Sequence, residues 1–124
     1  MKSLTDIEQS KTLAEILPIE SADMYYHPYP NDEDWYDVPN IGNADLRYNQ
    51  LPCWSLAALL DVINQVREIF HQRVTFLVGR YASGHWYVEL LKVQDERSVV
   101  FEHSVELVDA CVEIIITLHE QKLL

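Results

Sequence analysis

The chain has 124 residues, with 20 acidic side chains against 9 basic ones, for a formal net charge of −11. That length suits a single domain, and a hydrophobic content of 48% excludes wholesale disorder. The acidic surplus repels phosphate backbones and anionic headgroups, which disfavours direct nucleic-acid or membrane-surface binding. The charge is uneven, because residues 1–50 hold 10 acids and 3 bases while residues 51–124 hold 10 and 6. The expected organisation is one domain over 1–124. It has an acidic, aromatic-rich part over 1–50 and a helix–strands–helix part over 51–124.

The opening residues Met1 to Glu8 contain no apolar core and predict no secretory signal. The apolar stretch from Ala110 to Leu118 is interrupted by Glu113 and falls short of a membrane span. Two cysteines, Cys53 and Cys111, are too few for a disulfide framework, so a reduced, cytoplasmic setting is expected.

Thr5 followed by Glu8 reads as a capping box, with Asp6 favourably placed near the helix dipole's positive end. Leu13, Ala14, Ile16 and Leu17 then form an apolar stripe that Pro18 ends. Two aromatic runs, around Tyr25–Tyr29 and Trp35–Tyr36, flank the polar Asn31–Asp34 stretch and suggest a hairpin. Pro28, Pro30 and Pro39 confine it to an edge or a structured loop. Residues 40–50 read as loop. A helix over about 54–70 opens at Trp54 or Ser55 and carries Leu56, Leu59, Leu60, Ile63, Val66 and Phe70 at helical spacing.

Three strand-like runs follow, Val74–Tyr81, His85–Val93 and Ser98–His103. Their short links favour antiparallel pairing. Ser104 then caps a helix over about 105–121 whose apolar residues extend beyond one face. The predicted fold class is α+β: an antiparallel meander of three or more strands over about 74–103, flanked by helices, with an N-terminal helix and an aromatic-rich hairpin or loop. The helix–three strands–helix order is also that of double-stranded-RNA-binding domains. Those place basic residues at the start of the last helix, where this chain has Glu106, Asp109 and Glu113.

Cys53 before a helix and His85 opening a strand are the candidate catalytic pair, since a helix N-terminus favours thiolate and an imidazole can take its proton. Pro52-Cys53-Trp54-Ser55-Leu56-Ala57 resembles the nucleophile helix of papain-like peptidases, and Gly84-His85-Trp86 resembles the histidine strand of bacterial double-glycine peptidases. That resemblance implies a thiol hydrolase with Cys53 as nucleophile, His85 as base, Asp95 or Glu102 as orienting acid and Gln50 as oxyanion donor. The family's glycines around the nucleophile are missing, and only 32 residues separate Cys53 from His85. The alternative is a buried small thiol and a strand histidine. The histidines and cysteines show no metal-ligand spacing, so no metal and no cofactor is expected.

Tyr25, Tyr26, Tyr29, Trp35, Tyr36 and Tyr48, interleaved with Asp32, Glu33, Asp34, Asp37 and Asp45, form an acidic–aromatic cluster, and its residues from Tyr25 to Asp37 are the candidate partner-binding set. The alternative is a second layer of core with a solvated acidic turn. A surface this acidic could instead imitate nucleic-acid phosphates and block an enzyme that binds DNA or RNA. The wide apolar helix of 105–121 makes a homodimer through that helix a further expectation.

Three segments are similar to one family: Glu8–Pro18 with Glu20–Met24 after it, Leu51–Leu60, and Leu107–Cys111 with Leu118–Glu120. They resemble a family of small acidic proteins, without an assigned activity, from Bacteroides-type bacteria, their phages and mobile elements. The resemblance implies an intracellular accessory protein of a phage or mobile element and supplies no functional residues. Together these readings favour a non-catalytic protein that acts through protein–protein contact.

Overall fold

A reciprocal pair of hydrogen bonds between Asp6 and Gln9 decides where the first helix begins. In a computed structural model, which describes residues 1–31, 33–68, 73–94 and 96–124, helix α1 covers Ile7–Ala14. Asp6 Oδ1 accepts from the Gln9 amide at 2.8 Å, and Gln9 Oε1 accepts from the Asp6 amide at 3.1 Å. The expected capping box is therefore present but shifted by one residue from Thr5 and Glu8. Thr5 is fully buried and its hydroxyl is engaged inside the fold, which leaves Asp6 to meet the open amides.

The chain divides into two compact units, Ser3–Ala58 and Leu59–Leu124 with Met1–Lys2. In the first, β1 (Met24–Tyr26) lies between β2 (Asn40–Ile41) and β3 (Leu51–Cys53) in an antiparallel sheet. Met24 stands opposite Ile41 on one side and Cys53 on the other. Strand β3 contains Pro52 and is an edge strand, where a sheet tolerates proline. Tyr26, Leu51 and Cys53 form a buried cluster with Leu4, Ile7, Met24 and Trp35 packed against it.

The two aromatic runs do face one another. The Tyr29 amide donates to the Asp34 carbonyl at 2.8 Å and the Tyr36 amide to the His27 carbonyl at 2.9 Å, with Pro28 bridged to Trp35. Prolines at 28 and 30 remove two amide donors and keep this ladder short. The 40–50 stretch, read as loop, supplies β2 and a 3-10 turn over Leu46–Tyr48, which Asn49 ends with a left-handed φ of 55°.

Helix α2 (Leu56–Glu68) starts after Ser55, one of its two expected openers. Ser55 Oγ accepts from the Ala58 amide at 3.2 Å, while the Asp23 carboxylate accepts from both the amide and the hydroxyl of Ser55. Leu59, Ile63 and Val66 are buried as their spacing predicts; Phe70 lies outside the described residues.

In the second unit, β4 (Val74–Arg80), β5 (Trp86–Lys92) and β6 (Arg97–Ser104) form the expected antiparallel meander. Val78 faces Val88 and Leu90 faces Val100, with an irregularity between Leu90 and Leu91. Helix α3 (Leu107–Glu120) packs on β5 and β6, and Thr117 Oγ1 donates to Glu102 Oε1 at 3.0 Å. Ser104 does not cap this helix. Strand β6 extends to it, Glu106 takes the cap position without a side-chain bond to the helix amides, its carboxylate instead accepting from the Lys2 amide at 2.9 Å, and Lys2 Nζ pairs with Asp109 at 2.8 Å.

Of the aliphatic side chains on α3 from leucine, isoleucine and valine, Ile116 alone is not buried. The apolar circumference that suggested a dimer through 105–121 is thus covered within the chain, and the helix offers little apolar surface to a second subunit. Among the described residues, no helix is long and apolar enough to cross a membrane.

Candidate functional site

Cys53 sits in strand β3, not at the first turn of a helix; α2 begins three residues later. Its side chain is fully buried, and Sγ lies 3.4 Å from the Thr5 carbonyl, to which it donates, and 3.6 Å from the Thr5 hydroxyl. Burial pushes the thiol above its ordinary value, against weaker opposing hydrogen bonds from Thr5, Tyr26 and Ser10. The feature that would have favoured thiolate, a helix N-terminus, is therefore replaced by a dry cluster that favours the neutral thiol.

His85 is half-buried beside β5, with its ring centroid 5.9 Å from that of His103. Glu102, one of its expected orienting acids, accepts instead from Thr117. Asp95, the other, lies outside the described residues. Gln50, the expected oxyanion donor, presents Oε1 to the Asp45 amide at 2.8 Å, which makes it an acceptor in a local turn.

The acidic–aromatic region separates into a buried part and an exposed part. Tyr26 belongs to the core and is not a surface residue: it is 2% exposed and its hydroxyl donates to the Thr5 carbonyl at 2.6 Å. Burial, with Cys53 beside it, pushes its phenol well above the usual range. Its inward position follows from strand alternation, because Tyr25 and Tyr26 are successive residues of β1 and point to opposite faces. Tyr25 is half-buried.

Trp35 is also half-buried, with Nε1 donating to the Asn49 carbonyl at 2.8 Å and Lys11 Nζ lying 5.2 Å from its ring centroid. Tyr29 and Tyr36 are exposed and meet edge to face at 4.4 Å. Glu33, Asp34 and Asp37 are exposed, Asp34 paired through its backbone with Tyr29 and Asp37 bordering a separate recess with Asp6, Ile7, Glu8 and Tyr26, and none forms an ion pair among the described residues. Asp32 lies outside the described residues.

Two grooves open on this unit. The first, of about 340 Å³, is walled by Leu17, Ile19, Trp35, Leu46, Asn49 and Pro52. The second, of about 400 Å³, is walled by Pro28, Tyr29, Pro30, Tyr36, Tyr48 and Asn49. Asn49 belongs to both, so they adjoin. Arg47 on the second groove is already neutralised by Asp45, with bonds of 2.8 and 3.1 Å, and this pairing holds the Asp45 carboxyl below the usual carboxylate range.

Tyr48 and Leu46, at 62% and 64% exposed, complete the surface. Tyr48 belongs to the aromatic cluster marked in the sequence, whereas Leu46 falls in a stretch without hydrophobic periodicity, and the 3-10 turn that presents it leaves only the weak signal of Asp45 and Asn49 at its two ends.

A second exposed surface also escaped the sequence reading. On the sheet face opposite α3, Tyr87 lies 5.0 Å from Tyr81 and 6.1 Å from Phe101, which in turn lies 6.0 Å from His103. Period-two alternation along β5 and β6 was the available signal, since Tyr87, Phe101 and His103 alternate with the buried Val88 and Val100. Among the described residues no group of three or more His, Cys, Asp or Glu side chains converges as a metal site. No known protein family, curated protein or solved structure matches the chain.

Proposed function

We propose that the chain is a non-catalytic interaction protein that binds a protein partner through the acidic–aromatic surface of its first unit. The observation that carries this reading is the exposed Tyr29–Tyr36 pair beside two adjoining grooves, with the exposed carboxylates of Glu33 and Asp34 on the same hairpin and no ion pair to either among the described residues. Tyrosine and tryptophan give large contact areas with few rotatable bonds, and exposed carboxylates add orientation and steering. The burial of Cys53 and the neutral state it favours remove the main support for a thiol hydrolase. An accessory role inside a cell carrying a phage or mobile element, the setting implied by the family resemblance, suits a small acidic binding protein.

The test compares proteins captured from a bacterial lysate by the parent chain and by Tyr36→Ala and Asp34→Lys variants of equal stability. A partner lost by both variants supports the proposal. Identical captured sets would reject this surface.

A further inference from the structure

We infer that the two adjoining grooves of the first unit hold a proline-rich, positively charged segment of the partner in the polyproline II conformation. This rests on the partner-binding reading and names the chemical class of its ligand. The second groove is walled by rings, Tyr29, Tyr36 and Tyr48 with Pro28 and Pro30, while the first sets Trp35 among the aliphatic Leu17, Ile19, Leu46 and Leu51. An amphipathic helix seeks a continuous aliphatic trough, whereas here the aliphatic groove gives way at Asn49 to a ring-walled one, of the kind that holds the ring and backbone faces of an extended proline segment. Such a segment repeats its face every third residue, about 9 Å along its axis, and so can fill neighbouring pockets in turn. Asn49, shared by both grooves, marks the ridge it would cross.

Two further observations specify the occupant. The hydroxyls of Tyr29, Tyr36 and Tyr48 have no hydrogen-bond partner among the described residues, although all three side chains are exposed. A polyproline II backbone makes no internal hydrogen bonds, so its carbonyls are free to accept from them. Charge sets the flanks. Ser3–Ala58 carries ten of the chain's acids and only two of its bases, Lys11 and Arg47. Lys11 pairs with Glu8 and Arg47 with Asp45. Glu33 and Asp34, exposed on the hairpin that carries Tyr29 and Tyr36, are left to attract arginine or lysine on the ligand. A stiff segment also loses little conformational freedom on binding, which suits a shallow surface.

The experiment is an amide NMR titration of the full chain with three synthetic decapeptides. The first has six prolines flanked by arginines, the second replaces those prolines with alanine and glycine at equal charge, and the third is a lysine–leucine helix former. The expected result is shifts at Tyr29, Trp35, Tyr36 and Leu46–Asn49, with at least tenfold tighter binding of the proline peptide than of its flexible counterpart. Tyr48→Ala should weaken that binding about tenfold, as removal of an aromatic anchor does. Asp34→Asn should weaken it less and reduce its salt dependence. Both residues are exposed, so neither variant threatens folding. Equal binding of the first two peptides, tighter binding of the helix former, or shifts confined elsewhere would overturn the inference. If these peptides fail while lysate capture still depends on Tyr36 and Asp34, the ligand class is wrong and the binding surface stands. If both fail, the surface falls as well.

Discussion

The ring of Tyr87 fills the space beside Gly79, its cross-strand partner on β4, where any Cβ would collide with it. Glycine at this position is therefore a packing requirement set by a neighbour, and no positive φ is involved. The ring is held there between Tyr81 and Phe101, so a single missing side chain permits an aromatic row on the open sheet face.

A double-mutant cycle measures this dependence. Gly79→Ala in the parent chain forces the ring aside and forfeits its aromatic contacts. In a Tyr87→Ala background the same substitution removes only glycine's backbone entropy and is stabilising. Urea denaturation should return a coupling of about 1 kcal/mol between the two sites. Additive effects would show that the ring does not occupy that space.

Thr5 is the centre of the buried polar cluster in the first unit. Its hydroxyl lies 2.8 Å from Ser10 Oγ and accepts from the Trp54 amide at 3.0 Å. Thr5→Val leaves both groups without that partner in a dry site, at a cost of about 1–3 kcal/mol. Thr5→Ser keeps the oxygen and should cost distinctly less. Equal losses in chemical denaturation would mean that the methyl group carries as much of the stabilisation as the hydroxyl.

Both thiols should be silent towards a thiol-specific reagent in the folded protein. Cys53 and Cys111 have no exposed area, and burial raises the pKa of each. Absorbance with a disulfide reagent at pH 8 should register no thiol in the native chain and both in concentrated guanidinium. Rapid stoichiometric labelling of Cys53 without denaturant would revive it as a nucleophile.

Stability should decline on the alkaline side. Burial pushes the Cys111 thiol from its ordinary 9.0 to about 12, and raises Cys53 and Tyr26 in the same direction. A raised folded-state value means that the unfolded chain loses its protons first. The contribution is therefore complete below pH 9 and is lost as pH climbs towards 12. Each thiol ionised only in the unfolded chain steepens the fall by about 1.4 kcal/mol per pH unit. Urea midpoints taken between pH 7 and 11 should be flat and then descend, and Cys111→Ala should make that descent shallower.

Much of the second unit could be read directly from the chain. Short links at 82–84 and 94–97 fix antiparallel pairing, and the alternation of Val88 and Leu90 with Tyr87 and Glu89 identifies the inner face. The first unit resisted because its elements are too short to show a period. Leu51–Cys53 is three residues with a proline in the middle, so nothing local marks it as a strand; pairing with Met24–Tyr26 makes it one. That missed strand moved Cys53 from a reactive helix end into the core. Tyr26 was misplaced for a related reason: adjacent tyrosines look alike in composition, and only strand alternation separates the inward one from the outward one. The surface at Tyr29, Trp35 and Tyr36 was legible because its side chains are aromatic and acidic together. Its groove shape was not, since Tyr48 and Leu46 join it from a turn ten or more residues along the chain.

The Thr5 amide bonds to the Trp54 carbonyl and the Leu56 amide to the Ser3 carbonyl, each at 2.9 Å, so the two ends of the first unit are clasped side by side. A short linker could therefore join residue 3 to residue 58, and new termini could be opened at an exposed position such as Val38. Such a circular permutant of Ser3–Ala58 would keep the grooves while reversing the order in which their two walls leave the ribosome.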